Sequence, residues 1–470
     1  MPVLPCRANL SLYHKDLYQF LLACQQNCPW DYTQIVSISL EIEQIDPLVV
    51  LQKFAEPEQL TFYFENKEKQ EAIAAIDAVA QLKVEGKERF YTTQNFINSC
   101  LANTIPIGTI NHPFAGPHFF CSFGFFDENA QADYPFAAAT VFLPRWQVAC
   151  RGNRCVLVAN SLINAGVNIE LIFQDLWDKL QTIKLAKFSS DTDDNYRQEF
   201  LKQDVTNTDD FKRTVGAYLE LIRHNHLSKI VLAHALDVSS GTAFNLIQSL
   251  KNLRKLHSNC YIFSTSNGKG QNFIGASPER LISIHNQELM TDALAGSAPR
   301  GKTGAEDADL ANCLLSNKKE RHEHQVVIDF ITQRLHQLGI VPELLPPRLR
   351  QLSNIQHLWT PIQAKVPANV HPLEIVAQLH PTPAVAGAAR DIACAEIRRY
   401  ESFERGLYDA PLGWVDYQGN SEFIVGIRSA LINGDRARLY AGAGIVAGSD
   451  PDKELAEIQL KLQALLKALV

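Results

Sequence analysis

Residues 412–446 read LGWVDYQGNSEFIVGIRSALINGDRARLYAGAGIV, and this stretch decides the fold class. Apolar residues, many of them β-branched, run in three blocks, 412–417, 421–431 and 438–446. The intervals hold Gln418-Gly419-Asn420 and Asn433-Gly434-Asp435. Glycine next to asparagine or aspartate supplies the backbone freedom that tight hairpins require, so the blocks read as an antiparallel meander. Just beyond, Asp450 suits a helix cap and Pro451 the first helical position, so a helix is expected from there to the end. Strands that come in runs with helices around them predict an α+β class with mainly antiparallel sheet.

Working outward, 229–238 (KIVLAHALDV) predicts a strand after an amphipathic helix over 210–226. Residues 273–285 and 288–295 predict a hairpin, and 305–338 predicts helix. Nearer the N-terminus, 35–42 and 60–64 alternate as strands do, 67–82 carries Ala, Ile and Val at helical spacing, and the Phe-rich 116–126 contains strand. The clear composition break is the polar, acidic Ser189-Ser190-Asp191-Thr192-Asp193-Asp194-Asn195. It divides the chain into 1–188 and 196–470, either as two parts of one α+β unit or as two domains. No repeat of fixed period is present.

With 470 residues, 46% of them hydrophobic, the chain can bury a large core and has the length for two or three domains. The net charge of −7 and the dispersal of basic residues, with no run longer than Lys318-Lys319, exclude nucleic acid and anionic membrane as expected partners. No window reaches about 18 uninterrupted apolar residues, so no membrane span is expected. The opening MPVLPCRANLSLYHKDLYQFLLAC has no basic region followed by a long apolar run and reads as a structured start in a cytoplasmic protein. The 10 cysteines are scattered, and neither Cys24/Cys28 nor Cys150/Cys155 makes a C-x-x-C unit. A zinc site is not expected, and the cysteines read as reduced thiols.

Four segments carry candidate chemistry. Lys229 heads an apolar strand, where a desolvated amine can act as a base near neutral pH. Taken alone, its position favours a strand-edge surface lysine. Glu279 stands where Gly275, Ser277 and Pro278 interrupt a strand, and apolar walls there would make it a general acid. Its bland alternative is a turn residue paired with Arg280. Glu320/Glu323 and Glu454/Glu457 each project two carboxylates from one helix face. Two such faces can hold a hard divalent cation together with an anionic substrate, or they can be solvated acidic faces paired with Arg321, Lys453 and Lys461.

Together these segments resemble the chorismate-utilising enzymes. The motifs are SKIVLAHA from Ser228, FIGASPERL from Phe273, TDALAGSAPRG from Thr291, ERHEHQVV from Glu320, IQHLW from Ile355 and LHPTPAVAG from Leu379. EFIVGIRSA from Glu422, AGAGIVAGSDP from Ala441 and KELAEIQLK from Lys453 complete the set. They cover the chain from Asp210 onward in the family's order, and ISLEIEQIDPLVVLQKF from Ile38 extends a looser likeness into the N-terminal part. The resemblance implies the anthranilate/aminodeoxychorismate synthase-like fold, with two large antiparallel sheets, helices packed outside and a deep cleft. It implies Lys229 as the base that activates water and Glu279 as the acid on the other face of the ring. Glu323 and Glu457 would hold Mg2+, with Glu320 and Glu454 behind them. Arg428 and Lys461 would meet the enolpyruvyl carboxylate, helped by backbone amides near Gly442 and Gly444. Gly296 and Ser297 would face the ring carboxylate, and His357, Ala384 and Val385 would line the ring.

Within the family, the isochorismate branch fits best. The ammonia-using anthranilate synthases carry glutamine at the position of Lys229. Aminodeoxychorismate synthases carry a nucleophilic lysine at the position of Ala295. The resemblance therefore implies water as nucleophile, Mg2+ as cofactor, chorismate as substrate and no amidotransferase subunit. It points to menaquinone or phylloquinone synthesis. Val385 and the following Ala388-Ala389-Arg390 depart from the usual isochorismate pattern. Salicylate synthase, which goes on to eliminate pyruvate, is thus the alternative, followed by a chorismate-binding protein without turnover.

Overall fold

The computed structural model describes residues 14–131, 133–184, 200–224, 227–352 and 355–469. The opening residues 1–13 and the 189–195 break lie outside the described residues. Among the described residues, one hydrogen-bonded network joins 20 strands. In chain order these are β1 (Gln34–Ile42), β2 (Thr61–Asn66), β3 (Glu71–Val84), β4 (Thr104–Gly108), β5 (His118–Phe123), β6 (Ala139–Arg151) and β7 (Arg154–Ile163). Next come β8 (Phe200–Asp204), β9 (Lys229–Ser240), β10 (Tyr261–Ser266), β11 (Gln271–Ser277), β12 (Arg280–His285) and β13 (Glu288–Pro299). The last are β14 (Glu343–Leu344), β15 (Arg348–Gln351), β16 (Ile355–Lys365), β17 (Pro411–Asp416), β18 (Ser421–Val425), β19 (Ser429–Asn433) and β20 (Arg436–Val446).

The network forks at β6, which pairs with β3 along one edge and with both β5 and β7 along the other. One arm runs β3–β2–β10–β11–β19–β20–β9–β8, and the other runs β5–β17–β18–β12–β13–β16. Every pairing is antiparallel except β1 with β4. The N-terminal part is woven into both arms through β2–β10 and β5–β17, so the two parts of the chain share their sheets. No helix of the described residues is long and apolar enough to cross a membrane.

The expected meander is present, but its middle block is two strands. β18 ends at Val425, and β19 begins at Ser429 after a bend at Gly426-Ile427-Arg428. The block 273–285 is likewise broken at Pro278-Glu279 into β11 and β12. The breaks occur at one level: Val425 N donates to Glu279 O at 3.1 Å, and Ala276 N donates to Arg428 O at 3.1 Å. At each break the chain leaves one arm of the network for the other.

The helix expected over 67–82 is instead strand β3. Its alternate residues go to opposite buried clusters, Ile73 and Ala75 to an aromatic-rich one and Ala74 and Ile76 to the larger one. With both faces covered, the polar half of the strand alternation is missing, and Ala-rich sequence then mimics a helix. β2 behaves the same way, with Phe62 and Phe64 facing one cluster and Tyr63 the other. Each buried ring contributes roughly 1.5–3 kcal/mol relative to exposure.

The reading of all cysteines as reduced thiols is corrected at one place: Cys150 and Cys155 form a disulfide. They stand directly opposite each other on β6 and β7, joined through the Gly152-Asn153 loop, with Cα atoms 4.1 Å apart. The loop it closes is short, so reduction is expected to cost only about 2 kcal/mol of stability. Thermal unfolding with and without a thiol reductant checks this, and Cys155→Ser should unfold at the reduced protein's temperature.

Candidate active site

Two helices and the two strand breaks surround one cavity of about 400 Å3. The first helix, Lys318–Gln337, is capped by Asn317, whose side chain accepts from Lys319 N and Glu320 N. The second, Pro451–Leu466, has the expected Asp450 cap accepting from Asp452 N and Lys453 N. The first two turns of these capped helices place Glu320, Glu323, Glu454 and Glu457 on the cavity wall. Glu279, Gly296, Ser297, His357, Ala384, Val385, Arg428, Gly442, Gly444 and Lys461 line the same cavity. The structure therefore gathers residues spread over most of the C-terminal part.

Lys229, read from the sequence as either a desolvated base or a strand-edge surface lysine, is buried. It is 1% exposed and lies behind the lining, with Nζ 2.8 Å from Glu323 Oε1. Gly444 makes this possible: a Cβ there would meet Glu323 Oε1 at 2.9 Å and Lys229 Cε at 3.1 Å. The AGAG run on β20 thus clears the space in which the lysine and glutamate meet.

Glu279 is 5% exposed. Burial pushes its carboxyl up to about 8, with the charges of Asp409 and Asp292 adding to the rise and Lys229 opposing it. Such a group holds its proton at neutral pH, as a general acid must. Arg428 enters from the adjacent bend, and its Nη1 is buried without a hydrogen-bond partner. A buried guanidinium nitrogen with no acceptor fits an incoming carboxylate. Lys461 Nζ lies 2.8 Å from Glu457 Oε1 and donates to Gly442 O at 2.8 Å. His357 is pushed down to about 3 by burial first and then by Arg428 and Lys461, so its ring is neutral.

A bulge in β13 between Ala295 and Ser297 turns the Ser297 amide toward Glu320 Oε2, at 2.9 Å. Gly296 holds φ of 77° there, and a Cβ would meet Glu320 O at 3.0 Å. Ser297 Oγ donates to Glu457 Oε1 at 3.2 Å, so one serine ties both glutamate pairs together. Burial pushes Glu320 up, and the charge of Glu323 adds to it. Burial likewise raises Glu454. Glu457 is also pushed up by burial, but the charge and hydrogen bond of Lys461 and the hydrogen bond from Ser297 outweigh this and hold it below its usual value.

The donor set suits a hard divalent cation. Among the described residues, no three or more His, Cys, Asp or Glu side chains form a closed metal cage. Crowded carboxylates on facing helices, beside an arginine with a free nitrogen, suit an ion that takes one or two carboxylates, water and an anionic ligand. Mg2+ binds in this way. Lys319 lies 3.6 Å from Glu454 and 3.7 Å from Glu320, and shares that negative charge.

The buried groups of residues 401–409 were not singled out from the sequence. Arg405, 0% exposed, donates to both oxygens of Glu401, at 2.7 and 2.5 Å, and to Asp409 Oδ2 at 2.9 Å. It also donates to Val231 O and Val385 O, each at 2.9 Å. It therefore fastens the Lys229 strand to the loop carrying Ala384 and Val385. Tyr408 and Asp409 line the cavity. The sequence ERGLYDAP signals a charged turn, but nothing local in it indicates that the turn is buried.

The family described as Chorismate binding enzyme matches residues 19–470. The chain is 32% identical over 450 residues to the salicylate biosynthesis isochorismate synthase of Pseudomonas aeruginosa, covering 93% of this chain and 91% of that protein. It is 28% identical to isochorismate synthase MenF of Bacillus subtilis, covering 93% and 94%. The solved menaquinone-specific isochorismate synthase MenF from Escherichia coli superposes with a TM-score of 0.79 at 25% identity, over 98% of this chain and 100% of that one. Anthranilate synthase component I from Streptococcus pneumoniae, at 18% identity and a TM-score of 0.69, shares the fold.

Proposed function

The chain belongs to the chorismate binding enzyme family, and on that premise we propose that it is an isochorismate synthase, adding water at C2 of chorismate and expelling the C4 hydroxyl. The observation that carries this reading is a buried glutamate pushed up to about 8, on the wall of a cavity that also holds a guanidinium nitrogen without an acceptor.

Chorismate is a dianion, and bringing it into a dry cleft requires compensating charge. Arg428 and Lys461 take the enolpyruvyl carboxylate, and the Ser297 side of the cavity faces the ring carboxylate. Lys229 takes a proton from water as it adds to C2, and Glu279 gives its proton to the oxygen leaving C4. The absence of a lysine at Ala295 supports water as the nucleophile, so no amidotransferase subunit is needed. His357, Ala384 and Val385 border the ring, and the neutral imidazole adds no charge there. Glu323 and Glu457 are the residues that would hold Mg2+, with Glu320 and Glu454 orienting them. When bound, the ion supplies positive charge against the substrate's ring carboxylate. A cytoplasmic location and use of the product in quinone synthesis, menaquinone or phylloquinone, belong to the same proposal.

Incubation with chorismate and Mg2+, followed by chromatography, should yield isochorismate without stoichiometric pyruvate. Pyruvate matching chorismate loss would instead indicate a salicylate synthase, and binding without turnover a non-catalytic protein. Glu454→Gln should weaken Mg2+ binding by ~10–100-fold, because it alters a group orienting the ligands. Calorimetric titration of Mg2+ into the protein measures this apart from turnover.

A further inference from the structure

Arg405 carries one positive charge against two buried carboxylates, Glu401 and Asp409. This leaves a surplus negative charge in a dry place. Glu401 also accepts from Ala233 N at 2.9 Å, which ties it to β9. Asp409 lines the cavity, as Glu279 does. The two residues hang on one bend: Val425 N donates to Glu279 O at 3.1 Å, and Asp409 N donates to Gly426 O at 3.2 Å. Asp409 is 1% exposed and holds φ of 61°, a conformation non-glycine residues keep only where their surroundings fix it. Packing alone gives no reason to bury an acid beside another acid.

We propose that Asp409, pinned by Arg405, is a positioning residue whose negative charge keeps Glu279 protonated until the hydroxyl leaves. The proposal rests on the reading of Glu279 as the acid that protonates the leaving hydroxyl.

The surrounding charges support it. Glu279 is faced by Asp409, by Lys229 from β9 and by Asp292 from β13, and of these charges Asp409 has the largest effect. Asp292 is already paired with Arg280 at 2.7 Å. Asp409 is faced by Arg405, Glu401, Lys461 and Tyr408. Burial pushes Asp409 up to about 7, while Glu279 stands at about 8. Arg405, 2.9 Å from Asp409, favours its charged form, and that charge opposes loss of the proton from Glu279. The proton balance of the reaction closes: Glu279 gives its proton to the departing hydroxyl, which leaves as water. The proton taken up by Lys229 returns through solvent.

The test is the pH profile of kcat/KM for chorismate at saturating Mg2+, in the full chain. The upper limb reports the group that must be protonated. In Asp409→Asn this limb should move down by about one pH unit, giving about tenfold lower activity than wild type above the limb. Asp409→Glu should restore it. Asp409→Ser removes the same charge with a smaller side chain and should move the limb the same way, which keeps the test open if Asp409→Asn fails to fold. A purely structural role would lower activity at every pH and leave the limb in place, and that result would overturn the proposal. No isochorismate from the wild type at any pH would overturn the reading beneath it.

Discussion

Lys229→Ala is expected to lower turnover by about 10²–10⁴-fold, the usual contribution of a positioned general base. Affinity for chorismate should change far less, because Arg428 and Lys461 carry the charge that holds it. The lysine is 1% exposed and meets Glu323 at 2.8 Å, so alanine also leaves a nearly buried carboxylate without its partner. That loss alone can destabilise the protein. Lys229→Gln separates the two effects. Glutamine can still donate to Glu323 but cannot take a proton from water. It is expected to unfold close to the wild-type temperature and still fail to turn over. Wild-type turnover by Lys229→Gln would remove the base from the account.

Arg405→Met should cost about 3–5 kcal/mol of stability, the scale on which breaking a buried ion network from one side is felt. The guanidinium satisfies Glu401 and Asp409 at once and also holds Val231 O and Val385 O. Methionine fills much of the volume but removes the guanidinium's hydrogen bonds from two buried carboxylates and two carbonyls. The triple change Arg405→Met, Glu401→Gln, Asp409→Asn removes the unpaired charges and should recover part of the loss. Denaturant midpoints compared at constant slope measure both. A single variant as stable as wild type would show that Arg405 does not fasten the two walls.

Much of the site was legible because its signals are local. The Asp450-Pro451 cap fixes where the last helix begins, and that start sets which helix face Glu454 and Glu457 share. The two hairpin turns at 418–420 and 433–435 were equally readable from glycine beside asparagine. What escaped depends on contacts between distant segments. β3 lacks a polar face because its alternate residues are buried in opposite clusters, so its period was ambiguous. The bends at Pro278 and Gly426 look like interruptions of single strands, and only their pairing shows them to be switches between sheet arms. The Arg405–Asp409 contact is four residues apart and visible as a charged pair, but its complete burial is a tertiary fact. Cys150 and Cys155 did carry a signal: a Gly-Asn loop between two strands places residues flanking it by equal steps directly opposite each other.

The central claim is that Lys229 activates solvent water against the ring while Glu279 protonates the oxygen that leaves. Running the reaction in heavy-oxygen water, then measuring the product by mass spectrometry, tests it most directly. Sampled at low conversion, isochorismate should carry one heavy oxygen, located at C2, and unreacted chorismate none. Isochorismate formed with no heavy oxygen would mean that the hydroxyl moves within the substrate, and would contradict the roles given to both residues.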